Sequence, residues 1–190
     1  MPRVRSRGFS LMELMVVLGI TISIVAIGIP SMVTVISNAR LSGGVTNLSG
    51  VLQNCRMMSI KKNRTKATHF TVMANGPVAY VKDASDSSDL TKDDVQAQLG
   101  APLTKYTIPT GSGAPSQLTS AQLGFNAVHS DPAFNSRGLP CEYSGGTCTN
   151  KGFVYYFKDV RPVGPGRWAA VSISPAGRIK RWFWSGNSWN

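Results

Sequence analysis

Hydrophobic and polar positions divide the chain into three regimes. From Phe9 to Ile29 the sequence is dominated by apolar residues, and Glu13 is its only charge. At about 1.5 Å of rise per residue, a helix of that length matches a bilayer core of about 30 Å, so the run predicts a single membrane-spanning helix. Beyond Pro30, the residues Leu41, Val45, Leu48, Leu52, Cys55 and Met58/Ser59 recur at spacings of three and four. That period predicts an amphipathic helix face continuing to about Lys62, with a bend at Pro30. Gly43 and Gly44 each cost the helix about 1 kcal/mol relative to Ala and predict a second flexible point.

From Ala67 the pattern becomes that of strands. The stretches 67–73, 78–81, 123–127, 153–157, 168–173 and 178–184 are short, rich in β-branched or aromatic residues, and separated by Gly, Pro, Asn or Ser. They predict an antiparallel sheet packed on the amphipathic half of the helix. Between Lys82 and Gln122 the composition turns to Ser, Asp, Gly and Pro, which predicts an elaborated connection. Within it a helical turn is expected over 92–99, with Thr91 and Asp94 as a capping pair and Gly100 as its stop.

Composition sharpens this picture in one respect. The 190 residues carry 20 Lys and Arg against 9 Asp and Glu, a formal charge of +11. Removing Arg3, Arg5 and Arg7, which precede the apolar run, still leaves the chain strongly basic, as expected of a protein that meets polyanions such as nucleic acid or anionic lipid. The same three arginines favour a cytoplasmic N-terminus and place the chain beyond Pro30 on the opposite side of the membrane. The run continues past Pro30 into helix-compatible residues rather than ending at a small-residue cleavage site, unlike a secretory signal.

Glu13 is the oddity of the apolar run. An unpaired carboxylate within a membrane helix costs on the order of 2.5 to 3.5 kcal/mol, and no Lys, Arg or His lies between Leu14 and Ala39 to offset it. Cleavage between Gly8 and Phe9 would create an α-amino group four residues before Glu13. This arrangement of basic leader, Gly8, Phe9, Glu13 and an apolar helix with Pro30 resembles the type III signal of type IV pilins and type II secretion pseudopilins. The stretch LQNCRMMSIKKNRTKATHF is similar to the helix end and first strand of H-type minor pseudopilins and FimT-like minor pilins.

The resemblance implies an α+β, pilin-like fold: a long N-terminal membrane-spanning helix packed on an antiparallel β-sheet domain. It implies a leader over 1–8, a transmembrane half over 9–30, an amphipathic half over 31–63 and a periplasmic β-rich domain over 64–190. Gly8 and Phe9 would be the prepilin peptidase cleavage site, Phe9 the N-methylated residue, and Glu13 the assembly residue that pairs with the N-terminal amine of a neighbouring subunit. The implied partners are other pilins or pseudopilins, the prepilin peptidase and the inner membrane. The implied role is a non-enzymatic filament subunit.

Cys141 and Cys148 bracket a loop that can turn on Gly145 and Gly146, and in an oxidising compartment they are expected to form a disulfide. Cys55 falls on the apolar helix stripe, where a buried inert thiol is the common case. Cys-x6-Cys with only His69 and His129 elsewhere fits no structural zinc spacing. Asp83, Asp86 and Asp89 lack the alternation and closing Glu of a calcium loop and read as a solvated acidic loop. No nucleophile–base motif accompanies the two histidines, so neither catalysis, a metal nor a cofactor is expected.

The tail Ile173-Ser174-Pro175-Ala176-Gly177-Arg178-Ile179-Lys180-Arg181-Trp182-Phe183-Trp184 predicts a final hairpin. Strand alternation places Arg178, Lys180, Trp182 and Trp184 on one face, and Ile179, Arg181 and Phe183 on the other. FimT-like DNA-uptake pilins carry Gly-Arg-x-Arg near the C-terminus, and Gly177-Arg178-Ile179-Lys180 is similar, with Lys180 lacking the bidentate fork of an arginine. Arg178, Lys180, Arg181 and Trp182 are therefore candidate contacts for double-stranded DNA, with Arg161 and Arg167 as possible additions. The alternative is that the tryptophans pack against the sheet while the cations solvate an edge strand.

Overall fold

The computed structural model describes residues 10–73, 76–86, 88, 95–100, 103–106, 108–111, 113–159 and 167–190, excepting the side chains of 27–31, 33–34 and 106. Gly8, Phe9, Asp89, Thr91, Asp94 and Arg161 lie outside the described residues. The chain divides into two units, Met1–Asn38 and Ala39–Asn190, so the boundary falls within the first helix rather than after it.

Helix α1 runs from Leu11 to Lys62. It stops at Asn63, whose φ of 50° is the left-handed value that closes a helix. The Arg64 amide donates back to the Ser59 carbonyl at 3.1 Å. Lys61 and Lys62 sit in the last turn, where their charge complements the helix dipole.

In the first unit the side chains of Leu11, Met12, Leu14 to Leu18, Ile20, Ile22, Ile24 and Val25 are all exposed, Leu11 the most at 79%. In the second unit the stripe Leu41, Val45, Leu48, Leu52 and Cys55 is buried.

The expected architecture of a long membrane-spanning helix on one antiparallel sheet is overturned on two counts. Among the described residues no helix is long and apolar enough to cross a membrane. The β region, moreover, forms two sheets instead of one.

The first sheet has the order β3-β2-β1-β6-β7-β8. Its strands are β1 (Lys66–Met73), β2 (Gly76–Asp83), β3 (Val95–Gln98), β6 (Ala133–Phe134), β7 (Pro140–Ser144) and β8 (Thr147–Asn150). The second has the order β11-β10-β9-β4, with β5 pairing parallel to β9. It is built from β4 (Leu103–Tyr106), β5 (Ala127–Val128), β9 (Gly152–Asp159), β10 (Trp168–Ile173) and β11 (Ile179–Phe183).

The helix stripe from Leu41 to Cys55 packs into one core with residues of both sheets, among them Phe134, Phe153, Tyr155, Phe157, Val171 and Ile173. A second core holds Tyr156, Trp168, Trp182 and Trp189 with Leu118. Strands β9 and β10 contribute alternate residues to the two cores: Phe153, Tyr155 and Phe157 to the first, Val154 and Tyr156 to the second. Being covered on both faces, β9 and β10 read as near-continuous apolar runs.

Three local expectations are corrected. Gly44 is a close-approach site rather than a flexible point, because a Cβ there would collide with the Leu103 side chain and the Leu99 carbonyl oxygen. The segment expected as a helical turn over 92–99 contains β3, whose Val95–Gln98 pairs with Val81–Val78 of β2. The expected strand over 123–127 begins as helix α2 (Ser120–Leu123). The capping box of Thr119 and Gln122 and the left-handed Gly124 at φ 79° set that helix.

Candidate functional site

The final hairpin holds most of the candidate polar residues. Its turn closes as the Gly177 amide donates to the Ser174 carbonyl at 2.7 Å, with Gly177 at φ 82°. A guanidinium N–H of Arg56 donates to the Gly177 carbonyl at 3.2 Å, tying the turn to the end of α1. Antiparallel pairing sets Lys180 opposite Ser172 and Arg181 opposite Val171. Strand β11 is an edge strand of its sheet.

The alternation expected along β11 holds, and the two faces meet different surroundings. Ile179 and Phe183 pack on the helix-side core. On that side Arg181 donates to the Thr46 hydroxyl at 3.0 Å, and a polar groove of about 310 Å³ is lined by Thr46, Ser49, Gly50, Gln53, Ile179 and Arg181.

On the opposite face Arg178 and Lys180 are exposed, but Trp182 is only 6% exposed and belongs to the second core. Its indole N–H donates to the Ser172 hydroxyl at 2.9 Å. The Lys180 ammonium caps the Trp182 ring, 3.3 Å from its centroid. Trp189 is likewise buried, donating its indole N–H to the Ser116 carbonyl. Trp182 therefore offers no open ring face on which a base could stack, and Arg181 stands apart from Arg178 and Lys180. Packing accounts for the tryptophans. The exposed cations remain.

A cleft of about 160 Å³ opens beside those two cations, between β11, β10 and the α2 segment. Gln122, Ser174, Arg178 and Lys180 supply its polar groups, and Leu123, Phe125 and Trp182 its apolar wall. Sequence reading found the cations. It missed Gln122 and Phe125, because their nearness depends on β5 pairing parallel to β9 and bringing α2 alongside the hairpin.

Elsewhere, Cys141 and Cys148 form the expected disulfide, with Cα atoms 5.3 Å apart across the β7–β8 turn. Cys55 is buried, and burial pushes its thiol up to about 12 despite the Thr68 hydroxyl and Lys66 nearby, so it is inert as a nucleophile at neutral pH. The described acids of the proposed loop are occupied by lysines: Lys66 pairs with Asp83 at 2.8 Å, and Lys82 lies 3.8 Å from Asp86. The Ser88 side chain and amide hold the Asp86 carboxyl below its usual range. Among the described residues no group of His, Cys, Asp and Glu could hold a metal ion.

One contact had no forerunner in the sequence. Lys105 on β4 reaches Asp131 at 2.5 Å while its ammonium lies over the Phe70 and Tyr155 rings, 3.6 and 4.7 Å from their centroids. Burial pulls the Lys105 amine below the usual lysine range, with Asp131 opposing the shift. Through Phe70 on β1, Lys105 on β4 links a strand of each sheet.

Glu13 is exposed in the first turn of α1, where a carboxylate favours the helix dipole. Comparison of the chain with family models, with curated proteins and with solved structures finds no match.

Proposed function

We propose that this chain is a minor subunit of a type IV filament or type II secretion system, of the pilin or pseudopilin kind, that assembles through the start of α1. One observation carries the reading: the apolar side chains from Leu11 to Val25 are exposed within a single copy. Burying that much apolar surface requires partners, and helices of like subunits supply them. Glu13 would then meet the freed α-amino group of a neighbour's Phe9 after cleavage behind Gly8. The Cys141–Cys148 disulfide supports work outside the cytoplasm, where such bonds persist.

The test is Glu13→Gln. The variant should be cleaved and folded normally, yet enter filaments at least tenfold less than the parent. Equal entry would overturn the proposal. Mass analysis of the mature N-terminus should find a methylated Phe9.

A second reading, a DNA-binding minor pilin for DNA uptake, is favoured by one observation. Arg178, Lys180 and Arg181 are exposed, and no Asp or Glu follows Asp159 in the sequence. Replacing the three together should abolish duplex binding at low salt; binding that survives would remove this reading.

A further inference from the structure

The cleft beside the final hairpin has the dimensions and chemistry of a small-ligand site. We propose that it binds an acidic monosaccharide of the uronic-acid type, a compact polyol carrying one carboxylate. At about 160 Å³ it is well below the volume of a drug-sized pocket and of a size for a single sugar ring.

Its polar groups suit such a ring. The Arg178 guanidinium is a planar fork that pairs with a carboxylate bidentately, and Lys180 adds a second cation from the same strand face. Among the described residues lining the cleft there is no carboxylate to neutralise them. The Ser174 and Ser172 hydroxyls and the Gln122 amide provide neutral donors and acceptors for ring hydroxyls.

The site is also held in shape by its own contacts. The Ser174 hydroxyl accepts from the Arg178 amide at 3.1 Å, and Ser172 accepts from Trp182. Gln122 is fixed by the Thr119 cap, where its side-chain carbonyl accepts from the Thr119 amide at 3.0 Å, leaving its NH₂ group to donate. Leu123 and Phe125 form an apolar floor for the C–H face of a sugar.

A nucleic-acid strand fits this geometry less well. The Trp182 ring is covered by Lys180, and Arg181 lies on the other face, so only Arg178 and Lys180 would reach a backbone there.

The full-length chain titrated with methyl glucuronide in phosphate-free buffer, followed by tryptophan fluorescence and calorimetry, decides the matter. The glucuronide should saturate the site and bind at least tenfold more tightly than methyl glucoside, which lacks the charge. Arg178→Gln should weaken it at least tenfold and Arg178→Lys by less, with thermal unfolding of both variants unchanged. Equal binding of the neutral glucoside, or absence of saturable glucuronide binding, overturns the proposal. Competition by inorganic phosphate as strong as by glucuronide reduces the cleft to a general anion site and also overturns it. Duplex DNA binding lost in Arg178→Gln, without glucuronide binding, overturns it in favour of the nucleic-acid reading.

Discussion

Two stretches of the same helix meet opposite environments. From Leu11 to Val25 the apolar side chains of α1 are exposed, whereas from Leu41 to Cys55 its apolar stripe is buried in the main core. Apolar residues alone do not say where they will be buried. The second stretch alternates its apolar positions with Ser, Thr, Asn and Gln and needs only one covered face, which the two sheets provide. The first is apolar nearly all round, and a helix of that kind is stable only when covered on all sides, which the rest of the described chain does not do.

The largest effect should come from breaking the buried stretch. Leu52 is fully buried, so Leu52→Ala should cost about 2 to 5 kcal/mol of unfolding free energy, measured by urea titration of the full chain. If the helix stripe is the principal anchor, opening the Cys141–Cys148 ring should cost no more than about 2.5 kcal/mol, because so small a loop constrains the denatured chain only modestly.

Alkaline pH probes the same stripe through Cys55. Its thiol is raised from 9.0 to about 12, so the native state keeps the proton after the denatured state has lost it. Stability from this group is complete below pH 9 and falls as pH rises toward 12. Cys55→Ala should flatten the pH dependence over that range, and a slope equal to the parent's would show that the thiol is not buried as described. The smallest effect belongs to the exposed stretch. Val17→Ser should change the unfolding free energy by less than about 0.5 kcal/mol, and any larger loss would mean that this face is covered within the monomer.

The buried stripe and the paired strands were readable from local pattern. Leu41, Val45, Leu48, Leu52 and Cys55 share a face because the helical period requires it, and β1, β2, β9, β10 and β11 follow runs of β-branched and aromatic residues. The division into two sheets was not readable. It depends on the short strands β4 and β6, whose sequences carry little strand signal and which pair with the distant β9 and β1, while β7 and β8 extend the first sheet through local hairpins. Gly44 reads as a weak point in isolation, and only the approach of the 99–103 segment makes it a packing site.

The candidate site divides in the same way. Spacing alone placed Arg178 and Lys180 on one face and Arg181 on the other, since side chains alternate along any strand. Whether Trp182 would be open to a ligand depended on what lay against it. Tyr156, Trp168 and Trp189 buried it, and Lys180 settled over its ring.

By itself the sequence determined the helical stripe, the Cys141–Cys148 pairing, the excess of positive charge and the unusual carboxylate at Glu13. These follow from local geometry, composition and short separation along the chain. Only the tertiary structure decided that the strands divide between two sheets, that Lys105 meets Asp131, and that Gln122 and Phe125 stand beside Arg178. Those outcomes rest on pairings between distant segments, whose free energy no local stretch of sequence contains.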